Sequence, residues 1–246
     1  MKPGVVSVGF LDPGEWSASF GMSLKDLYLT DAFGSRRIIP DGKELRNYCG
    51  TGGIVAGRNE IAAQFLDGTD SEWLFMVDSD MGFAPDTVDR LLDSAHRYQR
   101  PVMGGLCFAL RRYEGAPLHV TRYITVPTVY EFVETATEAG FRSLLDYPRE
   151  QVAKVAATGA ACLLVHRRAL FKVREKYGDE WFTPVTHPLG RTFSEDLSFC
   201  VRLAACDIPI HVDTTVKTSH YKGGVYLDEA HYDSQTREAP CPSPKS

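Results

Sequence analysis

The sequence predicts an α/β protein built on a mixed, mainly parallel central sheet. Residues 5–11 and 73–77 form uninterrupted apolar segments that end at acidic or turn-forming residues, which is typical of strands buried on both faces. Each is followed by a segment with apolar residues at helical spacing. This alternation of strand and helix favours parallel pairing, and the ligands of such sheets bind beyond the carboxyl ends of the strands.

Turn signals and hydrophobic spacing place the other elements in order. In the first hundred residues we expect a strand at 5–11, a helix at 17–28, a short strand at 37–40, a helix at 54–66, a strand at 73–77 and a helix that begins near Pro85. Beyond them we expect a strand at 101–112, hairpin strands at 118–134, further strands at 152–165, helices at 169–177 and from Ser194 onward, and a strand at 208–213. The polar, proline-rich sequence from His231 predicts an exposed tail over residues 231–246.

The strand at 73–77 is followed by two carboxylates, Asp78 and Asp80. Side chains two residues apart in an extended segment point the same way, so both can reach one divalent cation. Oxygen ligands suit Mg²⁺ or Mn²⁺. Alternatively, one of the two caps the next helix, although Asp86, beside Pro85, is better placed for that role.

Three residues near the expected sheet edge are candidates for binding a nucleotide. Asp12 and Trp16 follow the first strand, where Trp16 either stacks on a base or is an ordinary rim residue. Arg58 lies on the helix after the glycine-rich turn 49–53 and is either directed at the nucleotide or a solvated surface residue. The turn itself is a weak phosphate signal, because it matches neither the P-loop nor the G-x-G-x-x-G pattern.

Two features late in the chain are further candidates. Ser194 reads as an N-cap with Glu195 and Asp196 in the first helical turn, an arrangement that the helix dipole alone also explains. His220 follows the last expected strand, and imidazole is a suitable ligand for Mn²⁺, although a single histidine is commonly structural.

Composition excludes several classes of protein. The formal net charge of −5 argues against a protein that coats nucleic acid by bulk electrostatics. No apolar run approaches the ~20 residues of a bilayer-spanning helix, and the first apolar segment is too short for a signal peptide. We therefore expect a cytoplasmic protein that does not bind membranes.

Four groups of residues, in this order and spacing, resemble the GT-A class of nucleotide-sugar glycosyltransferases. The resemblance is to family 2-like members and to compact versions found in bacteriophage genomes, and it covers roughly residues 5–225. A D-x-D motif alone is common by chance, so the combination is what makes the resemblance specific. The groups are Arg58-Asn59, the D-x-D motif Asp78-Ser79-Asp80, the pair Glu195-Asp196 and His220.

The resemblance implies a three-layer α/β/α sandwich in one domain over residues 1–230. About 1–100 would form the half that binds the nucleotide sugar, and 101–230 the acceptor half. The host cytoplasm is the expected location if the protein is encoded by a phage.

The resemblance also implies roles for individual residues. Mn²⁺ or Mg²⁺ would be held by Asp78, Asp80 and His220, and a nucleoside diphosphate sugar, with a UDP-sugar as the expected donor, would contact Arg58, Asp78 and Ser79. Asp12 and Trp16 are assigned to the donor from their position at the sheet edge. In inverting members of the class a carboxylate at the position of Asp196, or secondarily Glu195, deprotonates the acceptor hydroxyl. Retaining members use no such base, so both stereochemical outcomes stay open.

Two other functions are compatible with the sequence. A nucleotidyltransferase would be expected to carry a glycine-rich, lysine-containing loop after the first strand, and residues 12–15 do not resemble one. In a non-catalytic nucleotide-sugar-binding module, Glu195 and Asp196 would only cap a helix. The acceptor is open among a modified DNA base, a virion protein and a small molecule; Arg111, Arg112 and Lys222 would attract one that bears phosphate.

Overall fold

The computed structural model of the chain describes residues 1–49, 52–113 and 123–238. Its helices are α1 (Ala18–Phe33), α2 (Gly53–Gly68), α3 (Thr87–Ser94), α4 (Arg167–Tyr177), α5 (Glu195–Ala204) and α6 (Glu229–Glu238). Its strands are β1 (Lys2–Asp12), β2 (Glu44–Tyr48), β3 (Ser71–Val77), β4 (Met81–Phe83), β5 (Val102–Leu106), β6 (Phe108–Arg112), β7 (Tyr123–Pro127), β8 (Val129–Glu134), β9 (Ala139–Ser143), β10 (Val152–Val155), β11 (Ala157–Thr158), β12 (Cys162–His166), β13 (Ile210–Lys222) and β14 (Val225–Leu227). None of the helices in the described ranges is long and apolar enough to cross a membrane.

The main sheet is mixed. Its strand order is β10-β13-β5-β12-β3-β1-β2, and β4 and β14 also pair with β13. β1 is parallel to β2 and β3, and β5 is parallel to β13, whereas β12 is antiparallel to both of its neighbours and β10 is antiparallel to β13. Five strands along this order (β2, β1, β3, β5 and β13) therefore run in one direction. The predicted α/β class with a mixed, mainly parallel sheet is confirmed.

Helices cover both faces of the main sheet and give the sandwich its two apolar layers. Alternate residues of β3 point to opposite faces, so that Leu74 and Met76 join one layer and Phe75 and Val77 the other. The first layer includes Phe65 of α2 together with residues of α4 and α5, and the second is formed with α1 and α3. Burial on both faces explains why β3 is a continuous apolar run in the sequence.

Two smaller antiparallel sheets lie beside the main one. β8 pairs with β9 and β11, and β6 pairs with β7. The predicted strands in this part of the chain are present from residue 123 onward, whereas residues 118–122 lie outside the described part. The expected strand at 101–112 is divided into β5, in the main sheet, and β6, in the two-stranded one.

The prediction of a short strand at 37–40 is wrong. The backbone N–H groups of Arg37, Ile38 and Ile39 donate to the carboxylate of Asp31 at 2.6 to 3.0 Å, so this segment is held as a turn at the end of α1. The edge strand is instead β2, whose exposed and buried residues alternate.

The prediction of an exposed tail from His231 is wrong for residues 231–238, which belong to α6. Tyr232 is only 4% exposed, because its ring packs against Phe108 and Tyr147. The hydroxyl of Tyr232 donates to the carbonyl oxygen of Leu145 at 2.7 Å. Residues 239–246 lie outside the described ranges.

Candidate active site

Acidic residues stand at the carboxyl ends of two neighbouring parallel strands. β1 and β3 are in register, with Gly9 opposite Met76. Asp12 is the last residue of β1, and Asp78 follows β3 directly. The N–H of Asp78 donates to the carbonyl oxygen of Ala161 at 3.1 Å, which fixes the chain as it leaves the sheet.

The buried guanidinium of Arg58 connects the end of β3 to the beginning of α5. Its side chain is 4% exposed, so it is not a solvated surface residue. Nη2 donates to Asp78 Oδ1 at 2.8 Å. Nη1 donates to Asp196 Oδ1 and, at 3.3 Å, to Glu195 Oε1. The face of the Phe182 ring lies 5.7 Å from the guanidinium carbon, so the group is enclosed by carboxylates and an aromatic ring.

Glu195 and Asp196 form the first turn of α5, as the sequence predicts. Ser194 occupies the N-cap position, but its side chain makes no capping hydrogen bond. The two carboxylates are partly exposed and bind Arg58, so a favourable interaction with the helix dipole is not their only role. Gly159 lies next to Asp196, since a Cβ atom at residue 159 would be in van der Waals contact with Asp196 Oδ2 at 3.6 Å.

Asp80 and His220 face each other across the pairing of β4 with β13, in which His220 lies opposite Met81. His220 Nε2 is 3.2 Å from Asp80 Oδ1, and both atoms are buried without a hydrogen bond of good geometry. His220 Nδ1 donates to the carbonyl oxygen of Phe108 at 2.9 Å, so in the neutral ring the lone pair of Nε2 faces Asp80. Lys222 donates to the other oxygen, Asp80 Oδ2, at 2.6 Å.

This arrangement shifts the pKa values of both residues. Burial alone would raise the pKa of the Asp80 carboxyl, but the neighbouring His220 and Lys222 outweigh it and lower that pKa to about 2. Burial alone would lower the pKa of His220, but the Asp80 carboxylate raises it. Positive charge is therefore stabilised between Asp80 and His220.

Asp80 and His220 are the residues at this edge that could hold a divalent cation. They present an oxygen and a nitrogen atom 3.2 Å apart, which is also an ordinary distance for an ion pair. Asp78 is directed toward Arg58 instead, and within the described ranges no group of three or more His, Cys, Asp or Glu side chains is arranged to hold a metal ion. The structure thus brings together two of the three predicted ligands.

A second cluster lies at the ends of β1 and β2. Asp12 is buried and accepts from Trp16 Nε1 at 3.0 Å and from Arg46 Nε at 2.6 Å. The guanidinium carbon of Arg46 lies 4.7 Å from the ring centroids of both Trp16 and Tyr48. Burial raises the pKa of Asp12, but its hydrogen bonds, from Gly14, Arg46 and Trp16, outweigh this and lower it. Asp12 therefore orients the exposed aromatic and cationic groups around it.

Sequence reasoning missed Arg46 and Tyr48. The available signal was the alternation in residues 44–48, where Leu45 and Asn47 are buried while Arg46 and Tyr48 point outward. Of the remaining predicted residues, Ser79 is tied through its backbone, since its carbonyl oxygen accepts from Ser17 N–H at 3.0 Å. In the glycine-rich turn, residues 50 and 51 lie outside the described part of the chain.

Comparisons with known proteins bear on the fold. No protein-family model matches the sequence, and no curated protein matches it by sequence. The structure of A197 from STIV is similar, with a TM-score of 0.52 and 13% identity over 92% of this chain and 91% of that one. The structure of GalNAc-T7 with UDP, GalNAc and Mn²⁺ is similar with a TM-score of 0.55 and 11% identity, over 89% of this chain and 44% of that one. This chain thus spans less than half of the GalNAc-T7 chain, and its mixed α/β fold is similar to that of GT-A glycosyltransferases.

Proposed function

We propose that this protein is a divalent-cation-dependent glycosyltransferase that moves a sugar from a nucleoside diphosphate sugar to an acceptor hydroxyl. The observation that carries the proposal is the junction at Arg58. This one buried guanidinium joins the D-x-D residue Asp78 to Glu195 and Asp196, at the ligand-binding edge of a sheet like that of GT-A enzymes.

Asp80 and His220 are the residues that would hold the cation. Their facing oxygen and nitrogen atoms are buried 3.2 Å apart with no well-aligned hydrogen bond, so the gap between them is satisfied by a proton on His220 or by a cation that replaces it. A bound Mn²⁺ or Mg²⁺ would act as a Lewis acid that stabilises the charge on the departing diphosphate. Asp78 contributes by holding Arg58 in position, and with Ser79 it borders the same edge of the sheet.

Asp196 is the proposed general base, with Glu195 as the second candidate. Arg58 orients the Asp196 carboxylate by donating to its Oδ1, while Oδ2 of the same carboxylate lies beside the backbone of Gly159 and is the oxygen that would accept the proton. A carboxylate in this role removes the proton of the attacking hydroxyl, which corresponds to inversion at the sugar. Retention would require no base, and Asp196 would then only hold Arg58.

The nucleobase would lie against the cluster at the ends of β1 and β2. Trp16 and Tyr48 are 38% and 68% exposed and offer ring surface for stacking, while Arg46 offers hydrogen-bond donors. Asp12 is saturated by its own hydrogen bonds, so it supports the platform rather than contacting the base. A UDP-sugar is the first donor to test, because GalNAc-T7 was solved with UDP.

The acceptor half is proposed to comprise residues 101–230, opposite a donor half at about 1–100, within a single domain over residues 1–230. Candidate acceptors are a modified DNA base, a protein and a small molecule. The net charge of −5 favours the latter two over bulk binding of nucleic acid. Arg111 and Arg112, exposed on β6, would suit an acceptor that carries phosphate.

The proposal is tested by incubating the protein with the diphosphate sugars of uridine, guanosine, cytidine and thymidine. Each donor is offered with Mn²⁺, with Mg²⁺ and with chelator, and the release of free nucleotide is measured. Metal-dependent release from one donor is the expected result. The control is Asp80→Ala, in which release should be abolished; activity like that of the unmodified protein in this variant would contradict the assignment of the metal site.

One observation favours a second candidate, a module that binds nucleotide sugars without catalysis. Both potential bases, Glu195 and Asp196, are already bound to Arg58, as expected if they serve only to hold the fold together. Such a module would bind the donor in a metal-dependent manner and would release no nucleotide. Calorimetry of donor binding beside the release assay separates the two. A nucleotidyltransferase has no comparable support in the structure.

A further inference from the structure

Lys222 occupies one side of the carboxylate that would hold the cation. Its ammonium nitrogen lies 2.6 Å from Asp80 Oδ2, while Oδ1 of the same carboxylate faces His220 Nε2 at 3.2 Å. Both oxygens of Asp80 therefore have a neighbour in the protein. A divalent cation that binds to Asp80 would meet the positive charge of Lys222 at short range, which disfavours its binding.

The negative charge of Asp80 is balanced within the protein. Lys222 neutralises the Asp80 carboxylate, and the neighbouring Asp78 carboxylate is paired with Arg58, which it shares with Glu195 and Asp196. Cation sites in proteins usually depend on uncompensated negative charge from their ligands. A nucleoside diphosphate brings further negative oxygens, and these would serve as ligands of the cation and as new partners for the ammonium group of Lys222.

Lys222 is placed so that it can change partners. Its side chain is 46% exposed, and it is the last residue of β13, at the start of a hairpin turn. Gly223 and Gly224 follow with φ of 58° and 88°, in the left-handed region that favours glycine. A long side chain next to this turn can reach from Asp80 to a bound anion without any change in the sheet, since lysine has four rotatable bonds.

We propose that Lys222 is a resident counter-ion of the cation site, which keeps the affinity of the free protein for a divalent cation low and couples uptake of the cation to binding of the nucleoside diphosphate. The inference rests on the proposed function. In the free protein Lys222 neutralises Asp80. When the nucleotide binds, Lys222 pairs with the diphosphate and Asp80 becomes available to the cation together with His220.

The test uses Lys222→Met, which removes the charge but keeps most of the length of the side chain. Binding of Mn²⁺ to the nucleotide-free protein is measured by electron paramagnetic resonance, and binding of uridine and guanosine diphosphate by calorimetry with Mn²⁺ and with chelator. In Lys222→Met we expect Mn²⁺ affinity without nucleotide to rise at least about fivefold, and nucleotide affinity in chelator to fall by a similar factor. The mutual enhancement of Mn²⁺ and nucleotide binding should shrink accordingly.

Two further variants keep the test specific. Lys222→Arg retains the charge and should retain the low Mn²⁺ affinity of the unmodified protein. Lys217→Met removes an equally exposed lysine of β13 that is paired with Glu150 and Glu229, and it should leave Mn²⁺ binding unchanged. An Mn²⁺ affinity of Lys222→Met that is equal to or below that of the unmodified protein would overturn the role of Lys222 alone. Absence of Mn²⁺ binding to the unmodified protein, with and without nucleotide, would overturn the proposed function as well.

Discussion

Arg58 and Asp78 are joined by a hydrogen bond of 2.8 Å between Nη2 and Oδ1, and the arginine side chain is 4% exposed. Because the other end of the guanidinium binds Glu195 and Asp196, this one group fixes the position of α5 relative to the end of β3. Removal of a buried charge that has several partners strongly destabilises the folded state, because the partners are left buried and unpaired.

Arg58→Lys should therefore weaken both folding and activity. Lysine keeps the charge but cannot donate to Asp78 and Asp196 at the same time, because its donors radiate from one nitrogen. We expect a loss of about 2 kcal/mol in the free energy of unfolding, measured by urea titration, and at least about a tenfold loss in nucleotide release.

The matched control is Arg142→Lys, at an exposed ion pair with Glu131. Exposed ion pairs contribute little to stability, so this change should lower the free energy of unfolding by less than about 1 kcal/mol. Equal effects of the two substitutions would show that Arg58 has no special role at the junction.

Asp196→Asn should separate binding from catalysis. The amide preserves the shape of the side chain but cannot accept a proton, so transfer to an acceptor should fall by about 10²-fold or more. Metal-dependent donor binding, measured by calorimetry, should remain within a few-fold of the unmodified protein. Glu195→Gln is the matched control and should retain most activity. Full activity of Asp196→Asn with loss of activity in Glu195→Gln would assign the base to Glu195, whereas full activity of both variants would exclude a base at these two positions and favour a retaining mechanism.

Much of the fold was predictable because a strand that is buried on both faces has a recognisable apolar sequence. β3 is apolar at every position from Trp73 to Val77, since both of its faces are covered, and this pattern identified the central strand. Edge strands lack such a continuous apolar run. β2 alternates in exposure over only five residues, whereas the apolar Ile38 and Ile39 suggested a strand that Asp31 holds as a turn instead.

The sequence indicated which residues belong to the site better than it indicated which of them contact each other. The spacing of Asp78 and Asp80 correctly indicated the edge of the sheet, but nothing in it shows that Asp78 turns toward Arg58 while Asp80 turns toward His220. That division depends on contacts between residues more than a hundred positions apart, such as Arg58 with Asp196. Side-chain direction after the end of a strand is set by tertiary packing rather than by local periodicity.

The exposed ring of Tyr48 leads to a prediction about nucleotide binding. If the base stacks in this region, Tyr48→Ala should reduce the affinity for the nucleoside diphosphate by about 1 kcal/mol or more, which is roughly the contribution of one base–aromatic contact. Calorimetry with uridine diphosphate in the presence of Mn²⁺ measures this affinity. Tyr98→Ala is the control, because Tyr98 is also exposed and also lies against arginine side chains, on the loop after α3. A similar loss in both variants would argue against a base site at Tyr48.

Gly57, which precedes Arg58, is a point of close approach between α2 and the sheet. A Cβ atom there would lie 2.6 Å from Leu11 Cδ2 and 2.9 Å from Asn47 Oδ1. Gly57→Ala should therefore lower the free energy of unfolding by about 1 to 3 kcal/mol through overpacking, and it should reduce activity by displacing Arg58.

Gly68→Ala, at the other end of α2, has nothing within 4 Å of the added carbon and serves as the control. It should be neutral or slightly stabilising, because alanine has the higher helix propensity. Equal melting temperatures of the two variants would show that α2 can move away from the sheet without cost.

The pH dependence of stability should depend on His166, which is buried next to Glu72. Its Nδ1 accepts from the N–H of Arg168 at 3.0 Å, and its Nε2 lies 3.2 Å from Glu72 Oε1, so the neutral ring carries its proton on Nε2. Burial, together with the charges of Arg97 and Arg168, lowers the pKa of His166 below its ordinary 6.5 despite the opposing effect of Glu72. The unfolded chain therefore binds more protons than the folded one as the pH falls through 6.5.

The contribution of His166 to stability should consequently decrease between about pH 7.5 and pH 5.5, a window in which carboxylates with unfolded pKa values near 4 to 4.5 stay ionised in both states. The raised pKa of His220 acts in the opposite direction in this window and the lowered pKa of His211 in the same direction, so the contribution of His166 is measured as a difference between two proteins. Glu72, whose pKa is lowered from 4.5, contributes stability that is lost only at lower pH. In His166→Gln the decrease across this window should be smaller than in the unmodified protein, as measured by urea titration at both pH values. An equal decrease in the unmodified protein and in His166→Gln would assign the loss of stability to other histidines, since glutamine cannot take up the proton that His166 gains on unfolding.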